Sequence, residues 1–200
     1  FSLFFPEKRE FFLENQGLFT FGGAAASGNA NAAGDTPILF YSRRIGLNGG
    51  REIPIRGGGR LTGRAGRFSI GAIDMASSDE AVTSTPATNF TVLRVKRDVL
   101  RRSAIGAMLT NRSKAVSGTG GNMAYGVDGA FSFFQNLNFN TYVAASDNPG
   151  LSGKNLSYRG QLDYNADRYG LQLERLTLQD NFRPDVAFTL AGEERSAVAR

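Results

Sequence analysis

"NLSYRGQLDYN", residues 155–165, alternates between apolar and polar side chains with almost no break. Leu156, Tyr158, Gly160, Leu162 and Tyr164 share one parity, and Ser157, Arg159, Gln161, Asp163 and Asn165 share the other. Successive side chains of a strand point to opposite faces, so this strand has an oily face and a wet one. What covers the oily face decides the fold. A second protein layer there makes a soluble sandwich; hydrocarbon makes a membrane barrel.

Seven other stretches carry the same period. They are "IPIRGGGRLTGR" (53–64), "RFSIGAIDM" (67–75), "NFTVLRVKRD" (89–98), "SAIGAMLTN" (103–111), "MAYGVDGAFSF" (123–133), "NLNFNTYVAA" (136–145) and "RYGLQLERL" (168–176). The pattern predicts about eight or nine antiparallel strands. Their connections sort by parity. Those at 64–67, 98–102, 134–136 and 165–167 are tight, whereas "SSDEAVTSTPAT" (77–88), "NRSKAVSGTGG" (111–121) and "SDNPGLSGK" (146–154) are long and rich in Ser, Gly and Asn. Short turns at one end and long loops at the other mark an up-and-down transmembrane barrel. Greek-key crossings would scramble that order. The runs also suit a tilted strand that crosses hydrocarbon, which takes about 9–11 residues, better than globular strands of about 5–6. Tyr125, Phe133, Tyr158, Tyr164 and Tyr169 lie near strand ends, where aromatic girdles sit.

Composition excludes several chemistries. The 200 residues include no Cys, His or Trp, which removes thiolate and imidazole metal sites and the Ser-His and Cys-His catalytic pairs. No cofactor and no metal site are expected. The net charge is +5, but the arginines are spread through many segments without a dominant basic block, so a nucleic-acid partner is not expected. No apolar run approaches the ~18 residues of a spanning helix. The chain starts at Phe1 and ends in "EERSAVAR", and it reads as a piece of a longer protein whose barrel is truncated at the C-terminus.

The first residues differ from the rest. Pro6, Glu7 and Gly17 predict a short helix near 6–14. "GGAAASGNANAAGD" (22–35) reads as a mobile linker. Residues 1–36 thus form a helix and a flexible segment, a plug or a linker, and 37–200 carry the barrel strands. "PILFYSRRIGL" (37–47) is expected to be a further strand, with Arg43 and Arg44 interrupting its alternation. That strand would put the linker on the short-turn side and break the loop parity once. Glu7, Glu10 and Glu14 are spaced to share a helical face. Such a face could dock into an arginine-lined interior, with Arg43 and Arg44 as further plug or anchor residues; the plainer reading is a solvated helix.

The wet parity would face the lumen, with Arg56, Arg60, Arg64, Arg94, Lys96, Asp98, Asp128, Asn138, Asn140, Arg159, Asp163 and Glu174 on it. The basic members form either a cationic wall for anions and sugars or partners for Asp98, Asp128, Asp163 and Glu174. Pairing is the weightier reading, because isolated charges in a narrow interior seek partners. The tiny residues on the same parity are expected to leave gaps filled by water. No pair of carboxylates specifies a glycosidase, because their separation is not legible in sequence, and "GGGR" (57–60) lacks the ending of a phosphate loop. No catalytic residue is assigned.

"FSLFFPEKREFFLENQGLFTF", "PILFYSRRIG", "GGRLTGRAGRFSIGAIDM", "NFTVLRVKRDV" and "NFRPDVAF" resemble a family of uncharacterised bacterial outer-membrane proteins. In that family a carbohydrate-binding-module-like sandwich precedes a C-terminal barrel domain of unknown function. The resemblance implies the bacterial outer membrane, lipid as the partner of the oily face, and glycans as partners only through an upstream sandwich absent from this sequence. The expected function is an outer-membrane pore or anchor in glycan-related uptake or display. The alternatives are a membrane-associated hydrolase and a secreted soluble carbohydrate-binding β-domain.

Overall fold

A computed structural model describes residues 7–23, 37–48, 51–81, 84–115, 120–187 and 198–199. Two short strands that pair with each other, β1 (Leu47–Asn48) and β2 (Arg51–Glu52), open the described β structure. The alternating stretches then fold as eight long strands: β3 (Ile55–Ala65), β4 (Phe68–Ser77), β5 (Thr88–Leu100), β6 (Ser103–Arg112), β7 (Asn122–Phe133), β8 (Leu137–Asp147), β9 (Leu156–Asn165) and β10 (Gly170–Leu178). Each pairs antiparallel with its sequence neighbour, and a two-residue β11 (Val198–Ala199) adds to β10. The protein is all-β, and the nine-stranded sheet from β3 to β11 is one meander.

Loop parity holds along this meander. The tight connections are 66–67, 101–102, 134–136 and 166–169, and the long ones are 78–87, 113–121 and 148–155. Gly66 turns the first hairpin at φ 59°, the left-handed entry that a two-residue turn between right-twisted strands requires.

The sheet is open. β3 and β11 stand at its two ends with one partner each, so these strands do not close into the expected barrel. What lies against the sheet supplies a physical reason. A closed barrel of eight strands has room inside only for side chains. Here one face is covered by a backbone segment, which needs a wider curve.

That cover comes from both ends of the chain. On the N-terminal side are α1 (Glu10–Leu13), a 3-10 turn at Gln16–Phe19 and a second at Ser42–Arg44; residues 179–187 fold back beside them. Phe12, Phe19, Phe21, Leu39, Phe40 and Ile45 from this cover share one core with Ile73, Met75, Phe90 and Val92 of the sheet. Each fully buried side chain of this kind contributes about 1.5–3 kcal/mol. Val186 joins them, and its carbonyl accepts from the Tyr41 N–H at 2.8 Å.

Three expectations for this region change. The helix is one turn, Glu10–Leu13, rather than 6–14. Residues 37–47 are not a strand of the sheet: Ile38–Tyr41 are buried in the cover and Ser42–Arg44 form a turn. Ile53, which opens the first alternating stretch, is buried in the same region and precedes β3 rather than starting it. The predicted break in loop parity disappears with the strand that caused it. The linker stretch lies mostly outside the described residues, which include only Gly22 and Gly23 of it.

Candidate functional site

The two faces of the sheet meet different surroundings. On one, the open face, apolar side chains run in unbroken rows across the strands. Gly63, Ile70, Val95, Ala107, Val127, Val143, Tyr158 and Thr177 stand in register from β3 to β10 without a charge. Nothing in the described chain covers them: Val127 is 58 % exposed and Leu61 69 %. Nearer the tight turns, Phe131 stacks on Phe133 and Phe139, each at 6.3 Å. Arg175, beside Leu173 on β10, is an exposed charge on this face. A soluble monomer rarely leaves a contiguous apolar surface of this extent uncovered.

The opposite, covered face is split along the strand direction. Its half near the long loops is apolar, with Ile73, Met75, Phe90, Val92 and Met108 beneath the cover. Its middle carries ion pairs. Arg94 grips Asp128 with both terminal nitrogens, at 2.6 and 2.9 Å, and the pair is almost fully buried. Arg159 donates from Nε to Glu174 at 2.6 Å and from a terminal nitrogen to Gln161 at 2.7 Å. Gly22 of the cover joins both pairs. Its N–H donates to Asp128 at 3.2 Å, and its carbonyl accepts from Arg159 at 3.4 Å. The Phe21 ring lies 5.6 Å from the Arg94 guanidinium. Arg94 Nε is buried without a partner among the described residues.

Glycines on the wet parity make this docking possible. A Cβ on Gly71 would come within 2.7 Å of the Phe19 ring, on Gly126 within 2.7 Å of Phe21, and on Gly106 within 2.7 Å of the Arg94 guanidinium. The tiny residues of the covered face therefore leave room for aromatic rings and a guanidinium group, where the sequence suggested water.

The other residues singled out in the sequence distribute as follows. Arg60 ion-pairs with Glu14 and also donates to the carbonyls of Phe11 and Glu14, which latches the helix to β3. Arg64 pairs with Asp98 at 2.7 Å near the tight turns. Arg56 reaches the loop carboxylate Asp79 at 3.4 Å, both of them exposed. Asp163 accepts from Gln161 at 3.4 Å, and Asn138 from the Ser132 hydroxyl at 2.7 Å. The Asn140 side chain lies beside Gly23. Lys96 has no hydrogen-bond or ion-pair partner among the described residues. Arg64 and Arg94 thus pair with strand carboxylates as the pairing reading has it, and Arg159 does so as well, whereas Arg60 and Arg56 take partners outside the strands and Lys96 takes none among the described residues.

The acidic trio does not share a helical face, because only Glu10 is within the helix, and it is exposed. Glu7 is buried, and its carboxylate accepts from Arg9 Nε at 2.9 Å, from a terminal Arg9 nitrogen at 2.8 Å and from the Ser42 hydroxyl at 2.6 Å. Burial alone would push this carboxyl up. The Arg9 and Ser42 hydrogen bonds and the Arg9 charge outweigh it and hold the pKa at about 2. Arg44 donates to the Ala187 carbonyl at 3.2 Å, and Arg43, half-buried, is part of the same turn.

Sequence reasoning missed Phe19, Phe21, Gly22 and the buried Tyr142 hydroxyl, which lies 2.9 Å from Ser157 Oγ. A signal for the first three was present in "GLFTFGG" (17–23), where two aromatics precede two glycines that both take positive φ. No group of three or more potential metal ligands occurs among the described residues. No protein-family model, no curated protein and no solved structure was found to match this chain.

Proposed function

We propose that this chain is part of the wall of a bacterial outer-membrane β-barrel, with the open face in hydrocarbon and the covered face lining the interior. No described helix is long and apolar enough to cross a membrane, so the reading rests on the strands. The observation that carries it is the charge-free apolar row across eight strands, left uncovered while the chain's own cover packs on the opposite face. Strand lengths of 9 to 13 residues fit a tilted crossing of the hydrocarbon. Exposed Phe133, Phe134, Tyr164 and Tyr169 at the tight-turn end suit an interfacial girdle.

Within that reading the cover is an internal plug seated toward the long-loop end. Its packed aromatics and the Gly22 clamp favour an anchor, or a pore that opens only when the segment leaves, over a freely open channel. A role in glycan uptake or display rests on the family resemblance alone.

The test is assembly in vesicles. Val127→Arg places a guanidinium in the middle of the apolar row and is expected to cost about 2–4 kcal/mol of folding stability in phosphatidylcholine. Gln172→Arg, at an exposed position on the covered face opposite Asp163, is expected to be mild. Equal tolerance of the two overturns the assignment of the open face to lipid.

A further inference from the structure

Six of the 23 basic residues, scattered in sequence, collect at one rim. The tight turns β3–β4 and β5–β6 lie side by side: the Asp98 N–H donates to the Arg67 carbonyl at 2.9 Å, and Arg64 pairs with Asp98 at 2.7 Å. Residues 64–67 and 96–104 together hold Arg64, Arg67, Lys96, Arg97, Arg101 and Arg102 against the single carboxylate of Asp98. That local excess equals the net charge of the whole chain, +5. Charges at the long-loop rim are mixed, with Arg56 near Asp79 and Lys154 near Asp180.

Three of the rim guanidinium groups, on Arg67, Arg101 and Arg102, have no hydrogen-bond or ion-pair partner among the described residues. With Arg64 they line a recess of about 430 Å³ between the two turns, on the covered side of the rim. This is the size of a ligand cleft rather than of a single-ion site. On the open side of the same rim, Arg97 lies over the Phe68 ring at 5.2 Å. These two residues border a shallow groove of about 600 Å³ along the open face, lined also by Val95, Ile105, Val127 and Phe131. Arg97 at the end of an apolar groove, with further unpaired guanidinium groups on the adjoining turns of the same rim, matches one kind of molecule, an anionic head on an apolar tail.

We infer that the tight-turn rim binds anionic phospholipid, with an acyl chain along the Val95–Ile105–Val127 groove and its phosphate at the rim, between Arg97 at the groove's end and the exposed arginines of the adjoining turns. The inference rests on the membrane reading above. Guanidinium groups recognise phosphate oxygens by paired, charge-assisted hydrogen bonds. Basic residues near a bilayer surface also gain from its negative potential. The site would fix the depth and orientation of the sheet by holding one rim at the headgroup layer.

Free inorganic phosphate offers the same oxygens, so the experiment separates the two sources. The whole chain is folded into phosphatidylcholine vesicles with and without phosphatidylglycerol. Association of spin-labelled phosphatidylglycerol is compared with that of spin-labelled phosphatidylcholine by electron paramagnetic resonance. The wild-type protein is expected to prefer the anionic lipid. Arg101→Gln combined with Arg102→Gln is expected to lower that preference by about fivefold per arginine at low salt. Both residues are in an exposed turn, and unchanged far-UV dichroism checks that the variant is folded. A preference that survives both substitutions, or that inorganic phosphate abolishes, overturns the inference. Failure of the wild type to enter vesicles of either composition overturns the membrane reading instead.

Discussion

Gly22 carries more of the docking than its size suggests. At φ 61° it is in the left-handed region, and a Cβ there would come within 2.5 Å of the Tyr142 ring, so conformation and space both require glycine. Its peptide groups satisfy one carboxylate and one guanidinium of the two central ion pairs. Those pairs are partly or fully withdrawn from water, where a charge left alone is costly. Glu7 plays the matching part inside the cover, tying Arg9 and Ser42 together. Its pKa of about 2 in the folded protein, against an ordinary value of 4.5, makes a pH-dependent contribution to stability. A lowered pKa stabilises the fold above the ordinary value, and that stability is lost as pH falls from 4.5 toward 2. The amount is on the order of 3 kcal/mol. Denaturation in detergent micelles at about pH 6 and about pH 3 should show a loss in the wild type and a much smaller one in Glu7→Gln. Equal losses in the two proteins would remove Glu7 from the account.

At the scale of elements, hairpins and cover divide the work. The hairpins supply registered strands, and the cover supplies the rings that fill the glycine gaps. Gly71 separates the two, because the nearest atoms to an added Cβ all belong to Leu18 and Phe19 of the cover. Gly71→Val should therefore leave the strands intact by far-UV dichroism while it unseats the 3-10 turn at Gln16–Phe19. Loss of one docked aromatic should speed tryptic cleavage after Lys8 and Arg9 by roughly ten- to hundredfold. Unchanged cleavage would mean that the cover is not held through these rings. The strands and their turns were legible in sequence because alternation and turn residues are local properties. The cover was not, because its buried positions answer to contacts far along the chain. Ile73, Met75, Phe90 and Val92 carried a hint: all four are apolar residues on the wet parity, and a face bathed only in water would not place them there. That Arg94 and Asp128 share a face followed from strand parity, but which carboxylate Arg94 takes did not, and the partners of Arg60 and Arg56 depended on where the helix and a loop come to rest.

For the whole molecule, the question posed by residues 155–165 has an answer in two parts. The described residues cover the mixed face and leave the apolar one bare. The open sheet needs a partner for that bare face, and hydrocarbon is the partner proposed. The chain contains no Trp, so one introduced indole reports without background. The most direct measurement is the emission of Val127→Trp in vesicles that carry bromine at known depths along the acyl chains. The account predicts blue-shifted emission, quenched most strongly by bromines near the bilayer centre. Emission at the wavelength of an indole in water, untouched by bromine at any depth, would contradict it.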